Sequence, residues 1–91
     1  MAYTLLNIGY GCSVVADEVI AILAPNSAPM RRLRDDAKDQ NRLVDATHGR
    51  KTRSILILRN NFVVLSATQT DTIAQRYQAL NSPDKAETPD A

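Results

Sequence analysis

Short apolar runs separated by turn residues make up the start of the chain. Residues 3–8, 12–16 and 19–24 are runs with the length of strands, too short for buried helices. Gly9 and Gly11 separate the first two runs, and glycine tolerates the backbone conformations of a tight turn. This part of the chain therefore predicts three short strands.

A helical spacing of apolar residues replaces the strand pattern in the next segment. Met30, Leu33 and Ala37 are three and four positions apart, as on the buried face of an amphipathic helix. Ser27 suits the N-cap position, and a proline follows in the first turn, where its missing N–H costs little. We predict a helix from about residue 28 to about residue 41, with its other sides facing water or a partner.

Three further runs, rich in β-branched and aliphatic residues, predict an antiparallel meander. They span residues 43–47, 53–58 and 62–67. Asn60-Asn61 suits a two-residue turn between the last two runs. Residues 48–52 would then form a basic hairpin tip between the first two.

A second helix closes the predicted fold. Ile73, Tyr77 and Leu80 share one face of a helix over residues 69–80. The fold class is therefore α+β, a small antiparallel meander with two helices. Residues 1–81 would form one domain, and residues 82–91 a flexible polar tail.

The composition is that of a small globular protein, with 91 residues of which 44% are hydrophobic. No apolar run is long enough to cross a membrane, and the N-terminus lacks the basic start of a signal peptide, so we expect a cytoplasmic protein without membrane contact. The single cysteine, Cys12, excludes an internal disulfide. Because so small a core often needs self-association for stability, we expect a homo-oligomer.

Charge is concentrated in the middle of the chain. The net charge is only +1, which by itself argues against a nucleic-acid binder. Residues 31–53, however, hold eight Lys or Arg and four Asp, a local charge of +4. Because uneven charge says more about partners than the total does, this segment is the candidate contact with a polyanion.

Two groups of cations lie in this segment. One is at the predicted hairpin tip, and the other lies along one side of the predicted helix and includes Arg42 at its end. Exposed cations suit contacts with nucleic-acid phosphates, which position a protein without reading sequence. Ordinary solubilising charge is the alternative interpretation. The candidate DNA-binding residues are Arg50, Lys51, Arg53, Arg31, Arg34 and Lys38.

The type of nucleic acid follows from the aromatic residues. All four lie outside the basic segment, whereas single-strand binders interleave aromatics with cations to stack bases. This pattern favours duplex DNA, unless folding brings Tyr10 to the basic loop.

Residues for catalysis or metal binding are sparse. Cys12 and His48 are each the only residue of their type, and nothing in the sequence brings them together. The scattered aspartates lack the spacing of metal ligands. We therefore predict no catalytic residues, no metal, no cofactor and no small-molecule substrate.

Several segments of the chain resemble the RemA regulators of bacteria, in the same order, from about residue 3 to about residue 77. That family is best known from the control of matrix and biofilm genes. The resemblance extends over most of the chain and is more specific than any single motif. The matching segments are NIGYG at 7–11, PNSAPMRRLRDDA at 25–37, LVDATHGRKTR at 43–53 and LSATQTDTIAQR at 65–76.

The resemblance implies a LytTR-like fold, a ring-shaped homo-oligomer and nucleoid-associated binding to DNA that activates transcription. The family's DNA-contacting basic pair falls on Arg50 and Lys51. Lys51 replaces the usual arginine and so keeps the charge but loses the planar fork. A further DNA-contacting arginine of the family aligns with Glu18, a charge reversal, and His48 stands where the family often has tyrosine.

The leading hypothesis is therefore a transcriptional regulator that contacts the backbone of duplex DNA through the basic hairpin loop. The alternative is an oligomeric protein-interaction scaffold with reduced or lost DNA binding, which would be consistent with Glu18. Binding of single-stranded RNA is a third hypothesis, and an enzyme is the least favoured.

Overall fold

The computed structural model of the protein describes residues 4–80. Every predicted helix and strand is present, and the ends differ from prediction by no more than two residues. The predicted tail, residues 82–91, lies outside the described residues. The elements are β1 (Leu5–Gly9), β2 (Cys12–Val15), a 3-10 turn (Ala16–Glu18), β3 (Val19–Leu23), α1 (Ala28–Asp39), β4 (Leu43–Asp45), β5 (Ser54–Leu58), β6 (Val63–Ser66) and α2 (Thr70–Leu80).

The strands form two sheets. Strands β1 and β2 make an antiparallel pair of their own, and the other four form one sheet in the order β3-β5-β6-β4. Strand β5 is antiparallel to both of its neighbours, whereas β4 runs parallel to β6. Strands β3 and β4 are therefore parallel edge strands, and α1 is the crossover that connects them.

The predicted meander is wrong at β4, because this strand pairs with β6 and not with β5. Strand β4 ends at Asp45, whose carboxylate accepts hydrogen bonds from the backbone N–H and the hydroxyl of Thr47 at 2.9 and 2.6 Å. This side-chain turn directs the chain out of the sheet. Residues 46–53, the crossing loop, then pass the end of β6, and backbone hydrogen bonds tie both ends of the loop to β6. The basic residues thus lie on a crossover and not on a hairpin tip.

The turn between β5 and β6 is one residue longer than predicted. Leu58 N–H bonds to the carbonyl of Phe62, which leaves Arg59, Asn60 and Asn61 as a three-residue loop. Asn61 has a φ of 71°, a left-handed conformation that asparagine tolerates. Three-residue hairpin loops commonly end in such a residue.

The core has two halves, one on each face of the sheet. Strands β5 and β6 are buried on both faces, which explains why their apolar runs do not alternate with polar residues. Helix α1 covers one face, where Ala37 is fully buried and Met30 and Leu33 pack beside it, as predicted. Helix α2 and the β1–β2 pair cover the other face. Within residues 4–80, neither helix is long and apolar enough to span a membrane.

Candidate nucleic-acid interface

Two tight turns of similar geometry meet at one end of the molecule. Tyr10 and Gly11 join β1 to β2, and His48 and Gly49 form a turn inside the crossing loop. In both turns the first residue has a φ of 55° and the glycine a φ of 80°. Two successive left-handed residues are characteristic of type I′ turns, and this explains the glycine at the second position.

Side chains from the two turns contact each other. The guanidinium carbon of Arg50 lies 4.1 Å from the centre of the Tyr10 ring, a cation–π contact. The thiol sulfur of Cys12 lies 3.4 Å from Nε2 of His48. Tyr10 is 49% exposed, so it forms an open aromatic surface under Arg50. The sequence favoured duplex DNA because the basic segment contains no aromatic residue that could stack on bases. Since Tyr10 lies under Arg50 in the folded protein, that argument does not hold for Arg50.

The β1–β2 turn is fixed to the segment between β6 and α2. The hydroxyls of Ser66 and Thr68 both donate to the carbonyl of Ile8, each at 2.7 Å. Gly9 follows with a φ of 96°, and a Cβ at this position would lie 2.1 Å from the Thr68 hydroxyl oxygen. Only glycine therefore fits beside Thr68, and this close approach holds the turn that carries Tyr10.

The crossing loop and α1 together form one basic surface. Arg50, Lys51 and Arg53 are exposed on the loop, and Arg31 and Lys38 are exposed on α1. Arg34 is half-buried between two open pockets. One pocket, of about 430 Å³, is lined by Pro25, Asn26, Arg31, Arg34, Lys51 and Thr52. The sequence predicted both groups of cations but not that they share a pocket, because a hairpin tip would not lie beside α1 as the crossing loop does.

The second pocket, of about 580 Å³, has mixed charge. Arg34, Asp35 and Lys38 of α1 line it together with Asp45 at the end of β4. Hydrogen bonds from Thr47 lower the pKa of Asp45, and the nearby Arg34 and His48 lower it further. Asp45 therefore stays ionised at neutral pH and offsets part of the charge of Arg34. The stability from these contacts is present above the ordinary pKa of a carboxyl group and is lost as the pH falls through the lowered value.

Arg42 does not belong to the basic surface, although the predicted helix stripe included it. Helix α1 ends three residues earlier, at Asp39. The Arg42 guanidinium donates to the backbone carbonyl of Asn61 and, at 2.7 Å, to the side-chain oxygen of Gln40. Arg42 therefore supports the β5–β6 loop.

Glu18 lies at the opposite end of the sheet from the crossing loop. Its backbone carbonyl accepts a 2.8 Å hydrogen bond from Arg59 N–H, just after β5, whereas the crossing loop leads into β5 at Arg53. A strand rises by roughly 20 Å between Arg53 and Arg59. Glu18 and Arg50 of one subunit therefore cannot contact the same phosphate.

The contact between Cys12 and His48 brings together two residue types used in nucleophilic catalysis. In residues 4–80, the only side-chain hydrogen bond of the His48 ring is the one to Cys12, so no carboxylate orients it. The same part of the chain contains no cluster of three or more His, Cys, Asp or Glu side chains that could hold a metal ion.

Comparison with known proteins identifies the family. A sequence model of the RemA-like family, described as extracellular matrix regulatory protein A-like, matches residues 5–77. A protein of Desulfosudis oleivorans is 54% identical over 77 residues, 85% of this chain and 79% of its own length. A protein of Desulfatibacillum aliphaticivorans is 59% identical over 84% of this chain and 85% of its own length. A protein of Oleidesulfovibrio alaskensis is 62% identical over 80% of this chain and 87% of its own length. All three carry the name "Putative regulatory protein". The chain therefore belongs to the RemA-like family of regulatory proteins.

Proposed function

We propose that this protein is a transcriptional regulator that binds the phosphate backbone of duplex DNA and acts as a homo-oligomer. The observation that carries the proposal is the continuous basic surface that joins the crossing loop to α1. Lys51 of the loop lines the same pocket as Arg31 and Arg34 of α1, and Arg50 is exposed next to Lys51 in the chain. Membership of a family of regulatory proteins supports the same function.

Arg50 and Lys51 have different tasks in this proposal. The Arg50 guanidinium lies over the Tyr10 ring, and in a stacked arrangement its N–H edges can donate to two phosphate oxygens. Stacking also reduces the rotamer freedom that Arg50 loses on binding. Lys51 supplies a mobile point charge.

Duplex binding measured over a salt series tests the proposal. If Z phosphates are neutralised, the logarithm of the binding constant falls with the logarithm of the salt concentration at a slope of roughly −0.9Z. A flat dependence would contradict it. Tighter binding to single-stranded RNA than to duplex DNA would instead favour a role of Tyr10 in base stacking.

Replacing Tyr10 tests its support of Arg50. Tyr10→Asn removes the ring but retains a residue that tolerates the left-handed turn. We expect it to weaken duplex binding by roughly two- to fivefold, the range of an exposed cation–π contact. Tyr10→Phe keeps the ring and should bind like the wild type. Equal affinity of Tyr10→Asn and Tyr10→Phe, measured by fluorescence anisotropy, would exclude this support.

Exposed apolar side chains on both edges of the sheet support the proposed oligomer. Ile20, on the bulge of β3, is 62% exposed, and Val44 of β4 is 43% exposed. Leu80, predicted to face the core, is 41% exposed. Different patches on opposite edges suit head-to-tail association, which closes into a ring when the rotation between subunits permits. In such a ring the basic surfaces of several subunits would bind one DNA together, and their weak contacts would sum to a higher affinity.

The oligomer is tested by a charge on the β3 edge. Ile20→Lys introduces a charge at the most exposed large apolar residue of the described chain, and we expect it to yield a monomer. Ile20→Val retains the apolar surface and should assemble like the wild type. Light scattering measures the mass of each variant. A monomeric wild type, or an unchanged mass for Ile20→Lys, would refute this interface.

A further inference from the structure

We propose that the pocket between α1 and the crossing loop binds one phosphate group. The inference deepens the proposed function and rests on it for the main source of that phosphate, the backbone of DNA. It assigns a second phosphate contact besides that of Arg50, to which α1 contributes two arginines. A phosphate of the DNA backbone and a free phosphorylated molecule share the chemistry that the pocket would recognise, the tetrahedrally arranged oxygens of a phosphate group.

The pocket carries three positive charges from two directions. Arg31 and Arg34 lie one turn apart on α1, and Lys51 lines the pocket from the crossing loop. Asn26 and Thr52 add an amide and a hydroxyl that can donate hydrogen bonds. Among the described residues that line the pocket there is no carboxylate. An anion therefore enters it without competition from a negatively charged side chain of the lining.

The start of α1 adds to the positive potential. Its first turn contains no acidic residue, and Ser27 makes no side-chain capping hydrogen bond. The first N–H groups of a helix have no partner within the helix and attract anions. Here Arg31 follows at once, so a cation occupies the helix end where negative charge is favourable. A phosphate in the pocket would compensate the unfavourable interaction between this positive charge and the positive end of the helix dipole.

The neighbouring pocket on α1 is a poorer phosphate site, although it is larger. Asp35 and Asp45 line it together with Arg34 and Lys38. Because the pKa of Asp45 is lowered, its negative charge is present at neutral pH and repels a phosphate. The charge pattern therefore selects the pocket beside Lys51.

The chain supplies a matched control for the test. Arg31→Gln combined with Arg34→Gln removes two charges from the pocket and keeps good helix formers. Arg32→Gln makes the same type of change at an exposed position of α1 that does not line the pocket. If the double variant fails to fold because Arg34 is half-buried, the exposed Arg31→Gln alone serves the test.

The first arm measures the melting temperature of the full chain against inorganic phosphate, with sodium chloride keeping the ionic strength constant. A ligand at concentration L that binds only the folded state stabilises it by RT ln(1 + L/Kd), so the dependence of the melting temperature on phosphate concentration gives the dissociation constant. We expect the phosphate dissociation constant to be at least tenfold weaker in the double variant than in Arg32→Gln. General salt effects act on both variants alike and cancel in the comparison.

The second arm identifies the source of the phosphate. If the pocket takes a DNA phosphate, the double variant loses at least tenfold in duplex affinity relative to Arg32→Gln, and its salt slope becomes shallower by roughly one. If the pocket takes a free phosphorylated molecule, phosphate binding is weakened while duplex affinity equals that of Arg32→Gln.

The outcomes separate this inference from the proposed function. Equal phosphate binding in the double variant and in Arg32→Gln would overturn the phosphate site, even if Arg50→Glu abolishes duplex binding. Phosphate binding at the pocket without any duplex binding would support the site and contradict the proposed function.

Discussion

Arg50→Glu is expected to weaken binding to duplex DNA by roughly 100-fold or more at moderate salt. The substitution replaces a cation directed at phosphate by an anion, and an oligomer repeats the change at each subunit. It also replaces the favourable contact with the Tyr10 ring by a carboxylate over the same π face. Fluorescence anisotropy over a salt series measures both the loss and the change in slope.

The control for this variant is Arg32→Glu. It changes the net charge by the same amount at an exposed residue of α1 outside the pocket. If the two variants bind duplex DNA with affinities within threefold of each other, general charge and not the crossing loop determines binding. Glu18→Arg is the complementary variant. Because Glu18 lies at the far end of the sheet, a gain in affinity would show that the contact surface extends along the subunit or joins two subunits.

Gly9→Ala is expected to destabilise the fold by about 2–4 kcal/mol. A methyl group at this position would overlap the Thr68 hydroxyl, whose hydrogen bond to the Ile8 carbonyl would have to break. The left-handed φ of 96° adds the cost that any non-glycine residue meets there. Because the turn carries Tyr10, duplex affinity should fall as well. Denaturant unfolding measures the loss of stability.

Gly11→Ala is the matched control, since Gly11 also has a positive φ but open space around the position of a Cβ. We expect it to cost only about 1 kcal/mol. Thr68→Ala combined with Gly9→Ala should cost less than the sum of the two single changes, because the overlap is relieved. Equal losses for Gly9→Ala and Gly11→Ala would show that the contact with Thr68 does not matter.

Local patterns determined most of the secondary structure correctly. The spacing of Met30, Leu33 and Ala37 identified the buried face of α1, and the unbroken apolar runs identified the strands of the sheet. Strand order was not predictable in the same way. A hairpin and a crossover over one strand need loops of similar length. The side-chain turn at Asp45 makes this connection a crossover, but in the sequence it resembles any polar turn.

The candidate site was predicted as residues but not as an arrangement. Charge along the sequence made Arg50, Lys51 and the α1 cations candidates, and the family resemblance pointed to Arg50 and Lys51 as well. The contacts of Arg50 with Tyr10 and of Cys12 with His48 join segments about 40 residues apart, and nothing local encodes them. The glycine after each of Tyr10 and His48 was the one signal that both positions are tight turns.

The bonds from Ser66 and Thr68 to Ile8 have a consequence for synthesis on the ribosome. They span 58 and 60 residues, so the turn that supports Arg50 gains its anchor only after Ser66 and Thr68 have emerged. Contacts so distant in sequence form late, because closing a long loop is entropically costly. A nascent chain that exposes the basic loop but not Thr68 would carry its charges without a fixed geometry. The protein would therefore acquire a defined contact surface only after Thr68 has left the ribosome.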